Sequence, residues 1–131
     1  ILLDLFSKYN IKSTFFVVGY IAQKYPNLIN EIKEKGHEIA SHSYSHLDLR
    51  KATRNEVEKD LLKSFETIEN IIGEKVMGFR APFFSIDNSN SWVLEFLKKL
   101  GQLSERFSSS FKSSWPCLIF ILDLWILKGI F

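Results

Sequence analysis

The chain has 131 residues, with 17 basic against 15 acidic side chains and a net charge of +2. That length suits one ordinary domain with its own core, and the charge is too weak a field to steer nucleic acid or an anionic membrane. A single cysteine, Cys117, excludes an internal disulfide and leaves the redox compartment open. The most apolar stretch, residues 118–127 (LIFILDLWIL), contains Asp123 and is about half the roughly twenty residues that a bilayer requires, so no transmembrane segment is expected.

The chain opens at ILLDLF, without a Met or a signal region, as though already inside a helix, so a missing upstream segment is expected. Ile1, Leu2, Leu5 and Phe6 form a helical face, and Asn10 suits its end. Residues 13–19, STFFVVG, predict a strand buried on both faces. Residues 19–36 carry Ile21, Ala22, Tyr25, Leu28, Ile29 and Ile32 on a helical period, with Pro26 either a kink or the first position of a second helix. A second strand is expected over 37–41. Thr53 and Glu56 form a capping box for a helix with the stripe Val57, Leu61, Phe65, Ile68 and Ile72, closed by Gly73. KVMGFRAP, residues 75–82, predicts a third strand, and Trp92, Val93, Phe96, Leu97 and Leu100 predict a last helix ending at Gly101. Such alternation implies an α/β fold with parallel strands and outer helices, whose sites lie at the C-terminal strand ends. His42, His46 and Arg80 all fall there.

Beyond Gly101 the pattern stops: a serine-rich stretch precedes an apolar one without periodicity. Residues 102–131 are therefore set apart as a tail. Either they form a linker and a last buried element, or a reading-frame shift replaced the natural continuation.

His42 and His46 are four residues apart in HSYSH, and a helical turn there would place both rings on one face, where one ion could meet them. The plainer use is a pair of surface or capping histidines. A catalytic zinc site takes three protein ligands and an open position, so two imidazoles do not complete one. His37 begins its strand at the opposite end and is expected to be structural. Among carboxylates, Asp4 lies inside the first helix, Asp48 suits a local cap, and Asp87 sits in a polar turn. Arg80 in an apolar strand calls for an anionic partner unless it snorkels or lies at an edge. Pro82 turns the chain out of the sheet, which frees the Phe83 backbone N–H to face the site. Phe83 and Phe84 serve either as core or as an aromatic rim that stacks on a sugar.

STFFVVGY, GHEIASHSYSHLDL and GFRAPFFS, in this order and spacing over residues 1–101, resemble the NodB-homology polysaccharide deacetylases, carbohydrate esterase family 4. RAP-x-F-S, followed by a Trp and LKKLG, looks most like the subgroup of bacterial exopolysaccharide and exosortase loci. The resemblance implies a distorted (β/α) barrel, present here in part, over residues 1–101. It also implies a metal-dependent hydrolase that removes N-acetyl groups from an amino-sugar polysaccharide at the bacterial envelope or outside the cytoplasm. By the same resemblance His42 and His46 bind a divalent metal, Zn²⁺ by donor type. Arg80 orients a catalytic aspartate, the Phe83 N–H helps hold the oxyanion, and Pro82 and Phe84 meet substrate. The family's Asp-Asp pair, which supplies the base and the third ligand, should precede Ile1, and its D-x-x-x-W and L-x-H segments have no counterpart after Gly101. An inactive fragment is therefore expected. The alternative is a non-catalytic carbohydrate-binding or scaffold protein derived from the same fold.

Overall fold

The computed structural model describes residues 2–102. The elements run α1 (Leu2–Lys8), β1 (Thr14–Val17), α2 (Gly19–Lys24), α3 (Pro26–Glu34), β2 (Glu38–Ser41), α4 (Arg54–Ile72), a 3₁₀ turn (Pro82–Phe84) and α5 (Trp92–Lys99). β1 and β2 pair in parallel, in the register Thr14 to Glu38 through Val17 to Ser41. This is an α/β arrangement of parallel strands with outer helices, as the alternation implies. The tail expected at 102–131 lies, except for Gln102, outside the described residues.

Pro26 occupies the first turn of α3, so the 19–36 segment divides at Tyr25 into two helices. A ring that locks φ and lacks an N–H fits that position and no interior one. α4 opens on the capping box: Thr53 Oγ1 accepts from the Glu56 N–H, while the Glu56 carboxylate accepts from the Thr53 N–H at 2.7 Å. It closes at Gly73 with φ +70, a conformation that a side chain disfavours. Its whole predicted stripe is buried, and it joins Val17, Ile29, Ile39, Phe79, Val93 and Leu97 in one core.

Two expectations change. β1 is not buried on both faces: Phe15 and Val17 point into the core, whereas Thr14 and Phe16 are half-covered. The third strand contracts to one parallel bridge, Ser41 to Phe79. Upstream of that bridge a side chain of α4 takes over, where the Glu69 carboxylate accepts the Val76 N–H at 3.1 Å. The same carboxylate accepts from Lys75 and Gln102 at 2.8 and 2.9 Å. The 75–79 segment is thus fixed as much by a side chain as by a sheet.

His37 is structural, as its place at the start of β2 predicts. Its ring is buried against Phe6 and Phe15, with centroids at 5.5 and 5.2 Å, and Nδ1 accepts the Ser13 N–H at 3.3 Å. Nε2 and the Ser13 hydroxyl have no hydrogen-bond partner among the described residues. Burial, helped by the positive charges of Lys12 and Lys35, holds the imidazole below its ordinary value of 6.5. The unfolded chain therefore binds this proton more readily than the folded one. The stability from a neutral His37 is complete above about pH 6.5 and is lost as pH falls toward the lowered folded value. Urea unfolding midpoints should decline across that window, and His37→Phe should flatten the slope. An unchanged slope in the variant would assign the acid sensitivity to another group.

Candidate metal centre

β2 ends at Ser41 and delivers His42 to the C-terminal edge of the sheet. The Ser41 N–H donates to the Gly78 carbonyl at 2.8 Å, and the Arg80 N–H returns to the Ser41 carbonyl at 3.0 Å. This exchange sets the Arg80 carbonyl beside the His42 ring, with Nδ1 at 2.8 Å. A carbonyl can only accept, so Nδ1 carries the proton and Nε2 of the neutral ring carries the lone pair. A ring N–H given to a backbone carbonyl, with the other nitrogen left open, is the arrangement that metal-binding histidines adopt.

His46 reaches the same place, though not by the expected helical turn. The loop kinks through Ser43 and His46, with φ of 63 and 59, and carries no helical hydrogen bonding over 42–46. The two rings stand 5.0 Å apart at 73°. Neighbours on both sides impose this conformation. The first amides of α2, Gly19 and Tyr20, donate to the Ser43 and Tyr44 carbonyls at 2.9 and 3.0 Å. From α4, Asp60 accepts the Tyr44 N–H at 2.7 Å, the Ser45 N–H at 3.1 Å and the Ser45 hydroxyl. Ser64, one turn further on, shares a hydrogen bond of 2.8 Å with the buried Ser41 hydroxyl. Gly19 is required because a Cβ there would lie 2.8 Å from the Tyr44 ring and 3.1 Å from the Ser64 backbone. Asp60 and Ser64 escape sequence reasoning; their one signal is two polar residues at i and i+4 beside the apolar stripe of α4.

Arg80 leaves the sheet with its guanidinium 4.4 Å from the centroid of Phe16, on the half-covered face of β1. The turn that follows holds Phe83 at φ 56, ψ 19 and Phe84 at φ 50, both left-handed and both exposed. Phe83 stands edge-on to His46 at 4.9 Å, so His42, His46 and Phe83 form a row of rings. Pro82 is fully buried. Its ring is taken up in packing and in starting the turn, which leaves little exposed surface for the substrate contact expected of it.

The three carboxylates weighed as a third ligand stay local. Lys35 holds Asp4 with a hydrogen bond of 3.1 Å and lowers its pKa. Arg50 does the same for Asp48, and Ser89 for Asp87. No group of three or more His, Cys, Asp or Glu among the described residues could hold an ion. The two imidazoles fit a divalent ion in donor type, tautomer and proximity, and would provide two corners of its coordination.

The family model for polysaccharide deacetylase matches residues 1–102. The chain belongs to the polysaccharide deacetylase family. It is 34% identical over 95 residues to a Bacillus cereus peptidoglycan-N-acetylglucosamine deacetylase, covering 72% of this chain and 34% of that protein. To a Sinorhizobium fredii chitooligosaccharide deacetylase it is 35% identical over 82 residues, covering 62% and 38%. The chain thus spans about a third of the length of these curated relatives. The structure of a peptidoglycan N-acetylglucosamine deacetylase superposes with a TM-score of 0.71 at 29% identity, over 77% of this chain and 46% of that one. A Bacillus anthracis pseudoenzyme of carbohydrate esterase family 4 shares the fold, with a TM-score of 0.71 at 24% identity over 78% of this chain and 35% of that one. No helix among the described residues of this deacetylase-family chain is long and apolar enough to cross a membrane.

Asp60→Ala should free the Tyr44 and Ser45 amides. Hydrogen bonds to a charged group are worth about 1.5–3 kcal/mol, so exchange of these two amides should accelerate by roughly 10- to 100-fold. Exchange at wild-type rates would show that the loop holds its shape without the clamp.

Proposed function

We propose that the chain carries the metal-binding edge and the aromatic rim of a polysaccharide deacetylase that removes N-acetyl groups from amino-sugar polymers. The observation that carries this reading is the His42–His46 pair with His42 Nδ1 donated to the Arg80 carbonyl, which leaves Nε2 with the lone pair that a metal takes. His42 and His46 would hold the ion, and imidazole donors suit Zn²⁺. When bound, such an ion polarises a carbonyl and acidifies a water. The Arg80 guanidinium positions a carboxylate base supplied from outside the described residues. The Phe83 N–H donates to the amide oxygen as it gains charge, and Phe84, 83% exposed, offers a face for a sugar ring.

The names of the relatives support an N-acetylated glycan as substrate, and RAPFFS with the Trp92 helix supports an exopolysaccharide within that class. Both fit a protein of the bacterial envelope or of the space outside the cytoplasm. With two donors among the described residues, we expect those residues by themselves to hold an ion weakly. The non-catalytic alternative, a carbohydrate-binding or scaffold protein, draws on the same exposed rim and on the two-donor count among the described residues.

Calorimetric titration with Zn²⁺ separates ligand from bystander. His42→Ala and His46→Ala should each weaken binding by at least the roughly 10- to 100-fold that loss of an outer-shell partner costs. His37→Ala should leave the affinity of the folded protein unchanged. Equal losses from all three would sink the assignment.

Phe84→Gly tests the rim. Removing a side chain from a left-handed position relieves about 1–2 kcal/mol, so denaturant stability should rise while binding of an N-acetylglucosamine oligomer falls. A rise in stability with unchanged oligomer binding would remove Phe84 from the substrate site.

A further inference from the structure

The turn from Pro82 to Ser85 is closed by the Ser85 N–H donating to the Pro82 carbonyl at 3.0 Å, with positive φ at both central residues. Turns of that shape ordinarily take Gly, Asn or Asp, and here two phenylalanines occupy them. Each such residue costs about 1–2 kcal/mol, so something outside the pair must hold it there.

Two buried polar side chains do so. The Ser85 hydroxyl, 0% exposed, donates to the Pro82 carbonyl at 2.5 Å and accepts the Leu49 N–H at 3.1 Å. Asn90, 5% exposed, donates from Nδ2 to the Ser85 carbonyl at 2.7 Å and accepts the Asp87 N–H on Oδ1 at 2.8 Å. The Leu49 contact is the informative one, because Leu49 lies three residues beyond His46 on the segment that carries both histidines. One hydroxyl therefore bonds both to the strained turn and to the histidine loop.

We propose that Ser85 and Asn90 are positioning residues: they hold Phe83 in its left-handed conformation against His46, so that the rim and the metal-binding loop move as one unit. Packing alone does not account for the pair, since an apolar residue would fill the same space without burying a hydroxyl and an amide. The functional meaning of this coupling rests on the deacetylase reading, while the geometry stands apart from it.

The test uses the whole chain, with side-chain NMR resonances of His46 as the readout, because the Phe83 ring at 4.9 Å displaces them. Phe83→Ala gives their position without the ring. In Ser85→Ala the His46 resonances should move to that position. Asn90→Asp keeps the acceptor and loses the donor to the Ser85 carbonyl; it should move them the same way, and it serves if Ser85→Ala fails to fold. A folded variant of either kind with His46 at the wild-type position overturns the proposal, even if its stability has dropped, because a purely structural role predicts that result. Zn²⁺ alone separates the two readings. If Zn²⁺ perturbs neither histidine in wild type but Ser85→Ala still moves His46, the metal assignment fails and the positioning role stands. If Zn²⁺ perturbs both histidines and Ser85→Ala leaves the metal-free His46 unmoved, the reverse holds.

Discussion

The backbone exchange between Ser41 and the 78–80 segment is the contact on which the rest of the site depends. It is a short piece of parallel ladder, with two hydrogen bonds of 2.8 and 3.0 Å. It ends the second strand where the sheet meets the loop, and it sets the Arg80 carbonyl against His42. It also brings the Arg80 guanidinium over Phe16, and the carbonyl it presents selects one tautomer of His42. Gly78 permits the approach, since even a Cβ there would come to 3.0 Å from Ala40. Glu69 secures the other end of the segment by accepting the Val76 N–H.

Around that junction the molecule accepts strain. Ser43, His46, Phe83 and Phe84 all have positive φ, and none is glycine. Sparsely populated backbone of this kind persists where the surroundings over-determine it. Here the surroundings are particular groups: two amides of α2, the Asp60 carboxylate, the Ser85 hydroxyl and the Asn90 amide. The exposed phenylalanines gain little from burial, so their conformation is not explained by the hydrophobic core. It is explained by what the turn presents at the sheet edge.

The comparisons sharpen what this arrangement means. A peptidoglycan N-acetylglucosamine deacetylase and a pseudoenzyme of carbohydrate esterase family 4 both superpose with a TM-score of 0.71. The fold by itself therefore does not decide activity, which depends on the site it carries. The proposed site gathers two imidazoles, an arginine and a backbone donor at one sheet edge. The described residues offer no third donor beside them.

Much of this was legible in the sequence. Local signals offered Pro26 as a kink or a helix start, set α4 between its capping box and Gly73, and gave His37 a structural role, because caps, proline φ and helical period act over a few residues. The motifs also pointed to the family and singled out His42, His46, Arg80 and Phe83. Three things were decided only by the tertiary structure. The third strand shrank to one bridge, with the Val76 amide held instead by Glu69, seven residues back in sequence. Pro82 was buried at the start of the turn rather than exposed on the rim. The histidines met through a kinked loop rather than a helical turn, held by Asp60 and by the α2 amides. Sequence spacing says which residues could meet; the partners that make a strained loop the lower-energy choice lie on other elements, and only folding brings them within hydrogen-bond distance.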